Sequence, residues 1–106
     1  MELKRVVVTG LGALTPIGNT VDTFWESLAA GKSGCAPITR FDAEKFKTRF
    51  ACELKDFKVE DYINTKEARK MDQFAQYAMV SASEAVADSG MMEANPNLDR
   101  IGVVWG

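Results

Sequence analysis

Val6, Val7 and Val8 stand side by side, and Ile101, Val103, Val104 and Trp105 form a second apolar run at the other end of the chain. Neither run alternates. An antiparallel strand with one wet face alternates apolar and polar residues, whereas a parallel strand covered on both faces does not. The runs therefore predict strands from Arg5 to Thr9 and from Ile101 to Trp105. Parallel neighbours need a long crossover between them, and helical patterns fill the interval.

The first helical pattern runs from about Val21 to Ala30, with Thr20 as N-cap. Val21, Phe24, Trp25 and Leu28 fall at i, i+3, i+4 and i+7, which makes one face. Gly31 is placed to end it. Residues 32–63 form a long excursion. Within it, Phe46, Thr48, Phe50, Cys52 and Leu54 share one face and Lys47, Arg49, Ala51, Glu53 and Lys55 the other, a period of two that predicts a half-exposed strand. Asn64 then caps a long helix from about Thr65 to Ser89, with Glu67 as the return partner of a capping box and Gly90 as the stop. Met71, Phe74, Ala75, Ala78, Met79, Ala82, Ala85 and Val86 give it helical spacing. Small residues at 75, 78, 82 and 85 permit close packing on a neighbour. The order is strand, helix, excursion, long helix, strand. That is an α/β unit with a right-handed crossover.

Composition excludes more than it selects. A chain of 106 residues makes one small domain at most. With 46% apolar and 26% charged residues it is ordinary for a globular protein. Thirteen basic and 15 acidic side chains leave a net charge of −2, so no global field draws it to nucleic acid or membrane. No apolar run reaches the length of a membrane span, and MELKRVVVTG lacks the cleavage site of a signal peptide. Cys35 and Cys52 fit no zinc or redox spacing and read as small core-filling residues. No metal or cofactor site is expected, and the setting is expected to be reduced and cytoplasmic. There is no histidine, which removes the usual general base near neutral pH. The last residues, RIGVVWG, end inside an expected strand, so the chain is expected to be part of a longer domain.

The loop after the first run, TGLGALTPIG, raises the question of phosphate binding. A dinucleotide fingerprint is G-x-G-x-x-G on a tight strand-to-helix turn. Gly10 and Gly12 match, but Thr15 holds the third position and the helix starts only near Val21. A helix N-terminus is then absent from the place where a pyrophosphate needs it. The glycines read better as sites where backbone packs tightly on backbone.

Longer motifs carry a resemblance. VVVTGLGALTPIGNTVDTFWESLAAGKSG contains T-G-x-G-x-x-x-P-x-G-N followed by W-x-x-L-x-x-G-x-S-G. With FDAEKFKTRFACELKDF and KEARKMDQFAQYA, it resembles the β-ketoacyl-acyl carrier protein synthases, specifically the type II elongating enzymes of fatty acid synthesis. The resemblance runs from Lys4 to the last residue. It implies the first part of the N-terminal half of a thiolase-like fold, a partial domain over residues 1–106. It also implies an acyltransferase, a homodimer when full length, that condenses malonyl-carrier protein with an acyl thioester and releases CO2. It implies no cofactor. The family's nucleophile motif and its two histidines match nothing in this chain, so no catalytic residue carries over, and neither Cys35 nor Cys52 reads as a nucleophile. Two rivals stand beside this reading: a non-catalytic partner subunit resembling a chain-length factor, and a nucleotide-binding α/β domain.

One constellation does carry over. Lys66, Arg69 and Lys70 lie at i, i+3 and i+4, on one side of the start of the expected long helix. Cations there face the positive end of the helix dipole, at a cost of about 0.3–1 kcal/mol each, so local stability does not explain three of them. Glu67, Asp72 or another acid pairs with them on a solvated surface, or they receive an anionic partner. The resemblance implies the second: acyl carrier proteins are strongly acidic, and synthases of this family receive them on basic residues at this helix start.

Overall fold

The computed structural model describes residues 1–106, and a pair of helices frames the glycine loop. α1 spans Val21–Ala29. Thr20 accepts a hydrogen bond from the Thr23 N–H, and the Thr23 hydroxyl oxygen accepts from the Thr20 N–H, so the cap is reciprocal. At the other end, the Gly31 N–H donates to Leu28 O and the Lys32 N–H to Ser27 O. Gly31 has φ +68°. These paired bonds around a left-handed glycine close the last turn in a Schellman arrangement. The expected start and stop of this helix both hold.

The excursion folds less regularly than its alternation suggests. β1 (Ala36–Pro37) and β2 (Phe50–Ala51) pair antiparallel, with Ala36 opposite Ala51 and Pro37 opposite Phe50. The ribbon ends there, so the strand expected over 46–54 is two residues long. Its expected inner face is also turned out, since Phe46, Phe50 and Cys52 are exposed. Two strands with no layer against them have no inner face to fill. Phe46 packs instead on Phe41, edge to face at 5.5 Å. Beyond β2, a 3-10 turn at Val59–Asp61 is pinned by aromatic contacts. Phe57 stacks on Tyr62 at 5.6 Å and meets Tyr77 edge-on at 5.5 Å.

The expected long helix is two helices. α2 covers Thr65–Ala68 and α3 covers Gln73–Ser89. Lys70 and Met71 donate to carbonyls three residues back, which tightens the end of α2. Asp72 then adopts an extended backbone (φ −67°, ψ 160°) as the N-cap of α3. The apolar periodicity passes unbroken through Met71 and hides this break, while Asp72, a preferred N-cap type, marks it. Gln76 bridges the gap: its Nε2 donates to Ala68 O at 3.0 Å and to Met71 O at 3.4 Å. Asn64 caps α2 by accepting from the Lys66 N–H, but Glu67 does not return to close a capping box. Gly90 ends α3 at φ +62°.

The two terminal runs are the main departure. Neither Arg5 to Thr9 nor Ile101 to Trp105 forms a strand, and they do not pair with each other. Val6 is 89% exposed and Val104 99%. A parallel strand needs hydrogen-bonded neighbours and cover on both faces. Here Val103 and Trp105 meet only one wall, the α3 side chains of Phe74, Ala75, Ala78, Met79 and Ala82 together with Met71. Only Ala43, Ala68 and Val80 are buried. The radius of gyration is 17.5 Å, against about 13 Å for a closed globule of this length.

Candidate functional site

The glycine loop is occupied by the protein's own carboxylates. Glu84 and Asp88 lie one turn apart on α3 and reach back to it. Glu84 Oε2 accepts from the Ala13 N–H at 2.9 Å and its Oε1 from the Val21 N–H at 2.8 Å. Asp88 Oδ2 accepts from the Leu11 N–H at 3.0 Å. Negative charge does sit at the N-terminus of α1, where the dipole favours it, but the charge belongs to Glu84. A Cβ at Gly12 would overlap the Ser81 carbonyl, and one at Gly10 would overlap the Ala85 carbonyl and lie 2.6 Å from the Ser89 nitrogen. The glycines let the loop backbone lie on the helix backbone, as tight packing of backbone on backbone requires. The small α3 residues that meet them are Ser81, Ala85 and Ser89. Ala75, Ala78 and Ala82 line the apolar groove under Val103 and Trp105.

The basic cluster changes its helical address. Lys66 lies within α2, Arg69 is its C-cap, and Lys70 follows it. The C-terminal end of a helix favours cations, so the argument that local electrostatics disfavours all three does not survive the break before Asp72. Exposure and partners now decide. All three side chains are exposed. Lys70 Nζ pairs with Glu67 Oε1 at 3.3 Å, the one ion pair of the chain. Both partners are more than half exposed, so the pair is worth about 0.2–1 kcal/mol. Lys66 and Arg69 have no acidic partner. Arg69 stands at the rim of a cleft of about 180 Å³ with Val59, Glu60, Thr65, Ala68 and Gln76.

Arg40 joins this end of the molecule without any signal in the sequence spacing. Its Nη1 donates to Gln73 Oε1 at 3.0 Å and its Nη2 to Tyr77 OH at 2.9 Å, in the first turn and a half of α3. The excursion brings it there, 33 residues away in sequence from Gln73.

The cysteines are not core residues. Both are exposed free thiols, and their Sγ atoms are 3.1 Å apart. The hydrogen bond to Cys35 pushes the Cys52 thiol above its ordinary value, with desolvation adding to it and Lys55 opposing it. Glu53 shifts the other way. The Thr39 hydroxyl donates to it at 2.8 Å and the Thr39 N–H at 3.2 Å, which holds its carboxyl below the usual range. Nowhere do three or more His, Cys, Asp or Glu side chains converge on one point. No helix is long and apolar enough to cross a membrane.

Residues 3–106 match the family described as "Beta-ketoacyl synthase, N-terminal domain". The chain belongs to the β-ketoacyl synthase family. It is 46% identical over its whole length to the 3-oxoacyl-acyl-carrier-protein synthase 2 of Synechocystis sp., of which it covers 26%. It is 53% identical over 97% of its length to the enzyme of that name from Staphylococcus aureus, covering 25% of it. For the Coxiella burnetii enzyme of that name the identity is 49% over the whole chain and 26% of the relative. The chain thus spans about a quarter of the length of the curated relatives it matches. The solved ishigamide ketosynthase/chain length factor superposes with a TM-score of 0.73 and 38% identity, over 91% of this chain and 23% of that one. The chain therefore has a thiolase-like α/β fold.

Proposed function

We propose that this chain is the first part of the N-terminal half of an elongating β-ketoacyl-acyl carrier protein synthase. The observation that carries the reading is the family match over residues 3–106, joined to relatives of 46–54% identity that share the name 3-oxoacyl-acyl-carrier-protein synthase 2. In the reaction, a cysteine thiolate accepts the acyl group as a thioester. Malonyl-carrier protein then loses CO2, and its carbanion attacks that thioester to form the longer ketoacyl product. Thiolates suit this work because they attack well near neutral pH and leave again. The nucleophile is supplied from outside this segment. The protein acts as a cytoplasmic homodimer.

Within the segment, the role we assign is reception of the acyl carrier protein by Lys66, Arg69 and Lys70. The support is chemical. Lys66 and Arg69 are exposed and lack acidic partners, so an acidic helix can face them without breaking an existing pair. Arg69 offers a planar fork to carboxylates and Lys66 a mobile point charge. Lys70, already tied to Glu67, contributes least.

The test is Lys66→Glu with Arg69→Glu in the full-length enzyme. The KM for carrier-protein substrate should rise well above wild type, while turnover of a small thioester analogue stays nearly intact. Added salt should weaken the wild type and narrow the gap. Equal handling of carrier-protein substrate by both proteins at low salt would reduce the cluster to a solvated face.

A further inference from the structure

The two thiols face each other because of the strand register. The Ile38 N–H donates to Arg49 O at 3.0 Å, which makes 38 and 49 a hydrogen-bonded position of the ribbon. The paired residues are Pro37–Phe50 and Ala36–Ala51, and one further step along this register sets Cys35 opposite Cys52. Hydrogen-bonded and non-hydrogen-bonded positions alternate in an antiparallel ladder, so 35 and 52 oppose each other at a non-hydrogen-bonded position. There the Cα atoms approach to about 4.5 Å and the side chains are closest. That separation lies in the range a disulfide spans without moving the backbone. The contact between the Sγ atoms, at 3.1 Å, agrees with the register.

Three features fit chemistry better than packing. Both thiols are exposed in this segment. Neither is buried within this segment, whose ribbon has no layer against it. Lys55 stands beside them as a cation, with its Nζ fixed on Pro16 O, Gly34 O and Glu53 O, the last two in residues adjoining the cysteines.

We propose that Cys35 and Cys52 are a reversible dithiol/disulfide site, oxidised by exchange with a small-molecule disulfide. One cysteine, as its thiolate, attacks a sulfur of the reagent. A bond forms between protein and reagent sulfur, the reagent's own S–S bond breaks, and one reagent thiol leaves with a proton. The second cysteine gives up its proton to solvent and attacks the protein sulfur of this mixed disulfide, expelling the second reagent thiol. Two protein thiols are oxidised by two electrons and one reagent disulfide is reduced to two thiols. The product closes the loop between residues 35 and 52, which carries Arg40 and its contacts with Gln73 and Tyr77.

The experiment treats the full-length protein with glutathione disulfide, blocks free thiols by alkylation, and maps tryptic peptides by mass spectrometry. Cleavage after Lys32, Arg40, Arg49 and Lys55 places the two cysteines in separate peptides, Ser33–Arg40 and Phe50–Lys55. The expected result is loss of both alkylated peptides and appearance of one linked species, returned to two peptides by dithiothreitol. The same treatment in denaturing urea should form the link more slowly, because the register is lost. Alkylated peptides unchanged by the reagent would overturn the proposal. So would glutathione adducts on either cysteine that persist without the link, or a link that forms as fast in urea.

Discussion

Residues 10–21 and residues 101–105 both lie against α3, but only the first segment is held. Residues 10–21 contribute backbone donors at Leu11, Ala13 and Val21, and Asp88 and Glu84 accept from all three. Glycine removes the side chains that would keep the two backbones apart. Residues 101–105 contribute apolar side chains, of which Val103 and Trp105 touch one groove and Val104 touches almost nothing. Polar anchoring needs only the two partners it joins. A buried strand needs neighbours on two edges and cover on two faces. The first segment is therefore complete within this chain and the second is not.

The most severe way to break the held side is to add a side chain to the close approach. Gly12→Val drives its branches into the Ser81 carbonyl, a backbone atom that cannot swing aside. Overpacking of this kind costs on the order of 1–3 kcal/mol, and the full-length variant should unfold at correspondingly lower urea. Glu84→Ala comes next, since it strands two backbone donors at once. Water replaces part of what these half-buried donors lose, so the two bonds together are worth about 1–2 kcal/mol. Asp88→Ala, which frees one exposed donor, should lose less; an equal loss would show that the two carboxylates do not divide the anchoring as described. Thr20→Ala removes the reciprocal cap of α1 and should cost about 1 kcal/mol in the same assay.

The smallest effect is a dependence on pH. The folded state holds the Glu53 carboxyl below its ordinary value of 4.5 through Thr39. Its contribution is therefore complete above that ordinary value and is lost as pH falls through the lower folded value. Wild type and Glu53→Gln should differ in stability near neutrality and converge in acid. A difference that persists into acid would show that the carboxylate charge is not what Thr39 recognises.

The held side was the more legible in the sequence. Thr20, Gly31, Asn64 and Gly90 act locally, each through its own hydrogen bond or left-handed backbone, and each stands where its residue type placed it. Gly10 and Gly12 read as sites of close packing, but their partners were hidden: nothing in the spacing announces that Glu84 and Asp88 close on a loop some 70 residues earlier. The terminal runs were legible in type only. Consecutive β-branched residues encode a wish to be covered, and within these 106 residues nothing covers them on both faces. The cluster at 66–70 was found but misplaced, because apolar spacing continues through Met71 while Asp72 ends the helical backbone. Arg40 had no spacing relation to betray it.

The bridge built by Gln76 across the break between α2 and α3 has a mechanical meaning. From the first turn of α3 its amide donates to the last carbonyl of α2, at Ala68, and to Met71 in the break, so one side chain ties the two helices together. α3 itself is a rod of 17 residues, roughly 25 Å long. Glu84 and Asp88 sit in the far half of that rod, with the glycine loop hung from them. The Gln76 amide and the two carboxylates thus set the tie to α2 and the tie to the glycine loop at opposite ends of one helix.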